Sequence, residues 1–153
     1  MCGLIGIASR NPVLNWNFLT SGRDTMAHRG PDDAGAWWSE DRRVGLGHRR
    51  LSIIDLTPGG KQPMIDKSGL LNIVFNGEIY NYKDLKVELA SKGSLFFSKS
   101  DTEVILEAYR VWGLNLLEHL NGMFAFALYD KSNQTILLAR DRVGEKPLFY
   151  HFE

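Results

Sequence analysis

The run Cys2-Gly-Leu-Ile-Gly-Ile-Ala8 is short, apolar and branched, and Ser9, Arg10 and Asn11-Pro12 close it. A run without polar alternation suits a strand buried on both faces, so this chain begins inside its own core. Such a strand needs partners from farther along. Ala36-Trp-Trp38, Val44 to His48 and Leu51 to Leu56 read as strands separated by charged or Gly-containing turns. Between them Asn17 to Ala27 predicts a helix of weak periodicity, broken by His28-Arg-Gly-Pro-Asp-Asp33, and Thr57-Pro-Gly-Gly-Lys-Gln-Pro63 is a loop by composition.

Leu70 to Phe75 is a second apolar run, and it meets Asn76-Gly77, a pair that accepts positive φ and signals a hairpin turn, with Ile79 and Tyr80 starting the return strand. Asn81 is placed to cap a helix from Tyr82 to Lys92 whose Tyr82, Leu85 and Leu89 share a face before Gly93. Ser100-Asp-Thr-Glu103 has the capping-box pattern and opens a helix with Val104, Ile105, Ala108 and Trp112 on one side and Gly113 past its end. Leu114 to Leu120 adds a short helix, and Met123 to Tyr129, Thr135 to Arg140 and Lys146 to Phe152 read as strands. Strands, two helices, then strands imply an α+β protein in which helices cover sheets.

At 153 residues, 44% of them hydrophobic, the chain fits one globular domain spanning 1–153. Eighteen basic residues balance eighteen acidic ones, which removes any general attraction to nucleic acid or an anionic membrane. The single cysteine closes no intrachain disulfide, no Cys/His set has zinc-finger spacing, and the apolar opening is shorter than a bilayer span. A cytoplasmic protein is the expectation. The apolar stretch Pro147 to Phe152 at the close makes a fragment of a longer chain the expectation.

Cys2 is the sharpest chemical clue. Removal of Met1 would put a thiol and a free α-amine on one residue, a nucleophile and a base that titrates near neutrality. A small buried residue opening a strand is the plainer alternative. Thiol attack on an amide needs donors for the oxyanion, and the Asn76 side chain with the Gly77 N–H could supply them, although Asn-Gly is also an ordinary turn. Arg50, after Arg49 at the end of an apolar strand, has the planar fork that grips a carboxylate, or is part of a solvated basic patch with Arg42 and Arg43. Asp101 suits the first turn of a helix whatever its job, and Glu78 taken alone is a surface residue. The four histidines share no ligand spacing, and Thr57-Pro-Gly-Gly-Lys61 lacks the spacing of a phosphate loop.

In combination, Met1-Cys-Gly-Leu-Ile-Gly6, His28-Arg-Gly-Pro-Asp32, Arg50-Leu-Ser-Ile53, Phe75-Asn-Gly-Glu78, Ser100-Asp-Thr-Glu103 and Asp141-Arg-Val-Gly-Glu-Lys-Pro147 resemble the class II glutamine amidotransferase domain, in particular that of glutamine-hydrolysing asparagine synthetase. The resemblance implies a four-layer αββα N-terminal-nucleophile sandwich with two mainly antiparallel sheets. It implies that Cys2 hydrolyses L-glutamine through a glutamyl thioester, that Asn76 and Gly77 hold the oxyanion, and that Arg50 takes the α-carboxylate. Asp101 with Glu78 would engage the α-ammonium, and the backbone of Leu51, Ile53 and Ile54 would line the pocket.

The same resemblance implies no cofactor and no metal in this domain. ATP and Mg are expected in a synthetase (ATP-pyrophosphatase) domain in cis, whose Ser-Gly-Gly-x-Asp-Ser loop is missing from these residues. It leaves room for a homodimer and implies neither nucleic acid nor membrane as partner. Two other readings stay open: a catalytically silent domain kept for binding or assembly, and the glutaminase domain of a polysaccharide-biosynthesis amidotransferase.

Overall fold

The computed structural model describes residues 1–153. Strands β1 (Gly3–Ala8), β2 (Asp33–Trp38) and β3 (Val44–Arg50) form an antiparallel sheet in the order β1-β3-β2. Strands β4 (Met64–Ile65), β5 (Leu71–Ile79), β6 (Gly122–Asp130) and β7 (Thr135–Arg140) form a second antiparallel sheet in that order. Helix α1 (Asn17–Asp24) lies on β1 and β3, while α2 (Tyr82–Ser91) and α3 (Asp101–Trp112) cover the far face of the second sheet, followed by the single turn α4 (Leu116–His119). The layers run helix, sheet, sheet, helices, the α+β sandwich expected. No helix is long and apolar enough to cross a membrane.

Strand alternation divides the core between the two spaces beside the second sheet. Ile73, Phe75 and Ile79 of β5 and Phe124, Phe126 and Leu128 of β6 face the helices, where Leu85, Leu89, Val104, Ile105 and Ala108 meet them. The other parity, Val74 of β5 with Ala127 and Tyr129 of β6, faces the first sheet and packs on Val44 and Leu46 of β3. Trp37 and Tyr129 touch across that space with ring centroids 5.9 Å apart, and Phe124 and Phe126 stack at 5.8 Å, so these aromatics fill the core.

Several local expectations yield to long-range pairing. Asn76-Gly77 is no turn: β5 runs straight through it, pairing Asn76 with Ala125 and Gly77 with Phe124 in a ladder that continues to Ile79. Nine residues of β5 find partners on β6, and that ladder outweighs the turn preference of one dipeptide. Leu51 to Leu56 forms no strand, because its polar backbone groups serve Cys2 and Arg50, leaving Ile53 and Leu56 exposed. Lys146 to Phe152 likewise joins no sheet, and Phe149, Tyr150 and Phe152 face solvent. Asn81 stands before α2 without capping it; its amide bridges instead to the carbonyl of His119 and the N–H of Asn121. Ser100 does cap α3 by accepting the Thr102 N–H, but Glu103 reaches back to the N–H groups of Phe97 and Ser98 and leaves the box open.

His48 ties the two sheets together. Its Nε2–H donates to the Phe75 carbonyl at 3.0 Å, and that donation requires the tautomer in which Nδ1 is bare. Nδ1 has no partner, so a second proton there would have nowhere to donate. Burial accordingly lowers the imidazole from 6.5 to about 4; the bond to Phe75 and Asp33 oppose the shift and the Arg50 charge adds to it. Between these limits the unfolded chain binds the proton and the native chain does not, so His48 makes stability fall as pH drops from 6.5 toward about 4. His48→Gln keeps a donor for Phe75. The difference in urea-unfolding free energy between parent and variant should shrink by up to about 1.4 kcal/mol per pH unit across that window; a difference independent of pH would show that His48 titrates freely.

Candidate active site

The register of β1 on β3 pairs Gly3 with Arg49, which brings the residue before β1 beside the residues that leave β3. Cys2 is thereby fixed against Leu51: its Sγ accepts the Leu51 N–H at 3.3 Å and its thiol faces the Leu51 carbonyl at 3.7 Å. Arg29 Nε donates to the Cys2 carbonyl at 3.2 Å. The thiol is half-buried and free of any disulfide.

Beyond Ile73 the outer edge of β5 has no strand partner, because β4 is only two residues long. Side chains take its place. Phe75 N–H donates to Gln62 Oε1 at 2.6 Å, and Ile79 N–H to Asp101 Oδ2 at 3.0 Å. Alternation sends the intervening Gly77 N–H to the same edge, between two satisfied donors. Asn76 turns its side chain to the opposite face, toward the first sheet, and is buried. A Cβ on Gly77 would run into the Met123 carbonyl and the Phe124 backbone, so this glycine also lets β6 approach.

Arg50 ends β3 as a buried residue, 9% exposed. Its partners are carbonyls: Nη1 donates to Thr57 at 3.2 Å and Nη2 to Asp55. Gly60 presses on the guanidinium so closely that a Cβ there would meet its central carbon at 3.0 Å. The Asp55 carboxylate is turned to Thr57 and to the Lys99 N–H. Asp101 opens α3, 4% exposed. Burial raises its carboxyl from 3.8 to about 6, against the pull of hydrogen bonds from the N–H groups of Ile79, Thr102 and its own residue; the Glu78 charge raises it further.

All nine residues singled out from the sequence, Cys2, Arg50, Leu51, Ile53, Ile54, Asn76, Gly77, Glu78 and Asp101, line one cleft at the end of the sandwich. The cleft is half-open to solvent. It thus joins a thiol, a strand edge with a free N–H, a cation and an anion. Arg49, the neighbour of Arg50, points the other way and pairs with Asp24 at 2.9 Å. The same cleft holds residues that the sequence did not single out as part of the pocket. Gln62 and Gly60 come from the loop before β4. Met1 and Lys146 meet across it, Nζ donating to Sδ at 3.4 Å. In the sequence Met1 and Lys146 stand within motifs, whereas Gly60 and Gln62 stand only within a Gly/Pro loop.

The family description "Glutamine amidotransferase domain" matches residues 1–153. The chain is 44% identical to an amidase of Gibberella zeae, Amidase chry2, over 98% of this chain and 24% of that one. It is 42% identical to asparagine synthetase [glutamine-hydrolyzing] 3 of Bacillus subtilis, over 98% of this chain and 25% of the other. It therefore spans about a quarter of the length of these relatives. Among solved structures, the glutamine phosphoribosylpyrophosphate amidotransferase of Bacillus subtilis superposes with a TM-score of 0.75 at 21% identity, covering 92% of this chain and 37% of that one, a likeness of fold. A description that fits every residue, over a fold shared with an amidotransferase and a sequence more than two-fifths identical to glutamine-hydrolysing relatives, places this chain in the glutamine amidotransferase domain family.

Proposed function

We propose that the chain hydrolyses L-glutamine to L-glutamate and ammonia, with Cys2 as nucleophile once Met1 is removed. The observation that carries this reading is the convergence of Cys2, Asn76, Gly77, Arg50 and Asp101, from separate elements, on one cleft. In the first step the Cys2 thiol gives its proton to its own α-amine and Sγ attacks the side-chain amide carbon of glutamine. The oxygen of the tetrahedral adduct takes the negative charge, with the Asn76 amide and the Gly77 N–H as its donors. The protonated amine returns the proton to the departing nitrogen, ammonia leaves, and a glutamyl thioester remains. Water, deprotonated by the same amine, attacks the thioester carbon, releasing glutamate and restoring the thiol.

Recognition of a free amino acid requires opposed charges at one end of the pocket. Arg50 takes the α-carboxylate with a fork already oriented by carbonyls, and Asp101, aided by Glu78, takes the α-ammonium. The backbone of Leu51, Ile53 and Ile54 forms the wall. The ammonia is consumed by a synthetase domain in cis, where ATP and Mg act; this domain needs neither. The glutamine-hydrolysing asparagine synthetases among the relatives support aspartate as acceptor, whereas the amidase at similar identity keeps another carboxylate open.

Met1 lines the cleft in its retained form, and the Cys2 nitrogen is then an amide without a basic lone pair. Intact-mass analysis paired with a glutaminase assay should find activity only in the fraction starting at Cys2, and Cys2→Ala should abolish it. Full activity from a Met1-retaining sample would sink the amine mechanism. Asn76→Ala should lower kcat by on the order of 100-fold, and an unchanged kcat would move the oxyanion site elsewhere.

The substrate end has its own signature. Arg50→Lys should raise KM for glutamine, because an ammonium cannot reproduce the two-pronged contact. Asp101 binds the ammonium only when ionised, so kcat/KM in the parent should fall as pH drops below about 6. Asp101→Asn should give a low kcat/KM whose acid limb is shallower than the parent's below about 6, keeping only the slope set by the Cys2 amine. A variant with the parent's KM and acid limb would return Asp101 to a purely structural role.

A further inference from the structure

The loop between Thr57 and Pro63 contributes Gln62 to the cleft, 6% exposed and hydrogen-bonded at both ends of its amide. Oε1 accepts the Phe75 N–H at 2.6 Å, which settles the orientation of the group, and Nε2 donates to Thr102 Oγ1 at 3.3 Å. Phe75 precedes Asn76 in β5, and Thr102 follows Asp101 at the head of α3. One side chain therefore spans the residue next to the oxyanion donors and the residue next to the ammonium acceptor. It does so where β4 has ended and no strand holds the outer edge of β5. The opposite group of the same peptide unit series, the Phe75 carbonyl, is held from the first sheet by His48. Only two residues before Gln62, Gly60 supports the guanidinium of Arg50.

Resting on the glutaminase reading, we infer that Gln62 is a positioning residue that sets the distance between the oxyanion site at Asn76-Gly77 and the ammonium site at Asp101. Its amide works as a rigid spacer: an acceptor for the strand at one end and a donor for the helix at the other. It touches no reacting atom. Its effect reaches the chemistry through the β5 backbone, and misplacing donors by a fraction of a bond length is enough to slow the step in which charge develops. A purely structural role would lower stability without selecting this step.

The test compares Gln62→Met, which keeps length and bulk but removes both bonds, with Gln62→Glu, whose oxygen still accepts from Phe75 in either protonation state. Both are made in the chain that begins at Cys2. Gln62→Met should lose about 10-fold or more in kcat on glutamine. Alkylation of Cys2, the only cysteine, by iodoacetamide builds no oxyanion and should stay within about twofold of the parent. Gln62→Glu, in which the Thr102 hydroxyl turns to donate to the carboxylate, should recover most of kcat. Hydrogen–deuterium exchange gives a readout that needs no turnover: peptides containing Phe75 should exchange faster in Gln62→Met, with those of the β6–β7 hairpin unchanged. Parent-like kcat, equal loss of alkylation and turnover, no recovery in Gln62→Glu, or unaltered exchange at Phe75 would each overturn the assignment. Failure of the unsubstituted Cys2 chain to release glutamate would instead count against the glutaminase reading, with exchange still deciding the role of Gln62.

Discussion

Strand β5 is buried on both faces, and the rest of the molecule is arranged around that fact. A strand so placed must distribute its side chains to two cores at once. Its odd-numbered residues from Ile73 to Ile79 supply the helical side and its even-numbered ones the space between the sheets. The same parity that sends Val74 toward the first sheet sends Asn76 there, where Cys2 precedes β1 and Arg50 ends β3. The site is thus a continuation of the inter-sheet core in which polar residues replace apolar ones at the sandwich's open end.

Burying Arg50 and Asp101 without pairing them to each other is costly, and each is accommodated differently. Arg50 cannot shed its charge, so the chain surrounds it with the carbonyls of Asp55 and Thr57, which offer partial negative charge without neutralising it. Asp101 can shed its charge, and its raised carboxyl shows how near it comes to doing so. Backbone N–H groups at the start of α3 and from Ile79 hold the balance. Two charges kept apart by the fold are available to a third party carrying both signs, which a pre-formed ion pair would not be.

Much of this was legible in the residues themselves. The apolar opening, the Ser100 cap and the helix face of Val104, Ile105 and Ala108 report local and periodic physics, and the structure repeats them. Every candidate site residue proved to line one cleft because the strands, loop and helix that carry them converge at one end of the sandwich. What failed were signals whose meaning depends on distant partners. Asn76-Gly77 looks like a turn until β6 pairs with it, and Leu51 to Leu56 looks like a strand until Cys2 and Arg50 claim its backbone. Gln62 was invisible for the same reason: a lone glutamine in a Gly/Pro loop says nothing of an unpaired Phe75 thirteen residues on.

The edge of β5 has a consequence for what can enter the cleft. An open strand edge is ordinarily a template for another strand, since it offers a periodic row of donors and acceptors to any extended peptide. Here the row is interrupted: Gln62 occupies the donor at Phe75, Asp101 the donor at Ile79, and the position between them is Gly77. A polypeptide needs several free donors in register and finds one, at Gly77. A single carbonyl oxygen needs only one, so the edge suits a lone acceptor better than an extended strand.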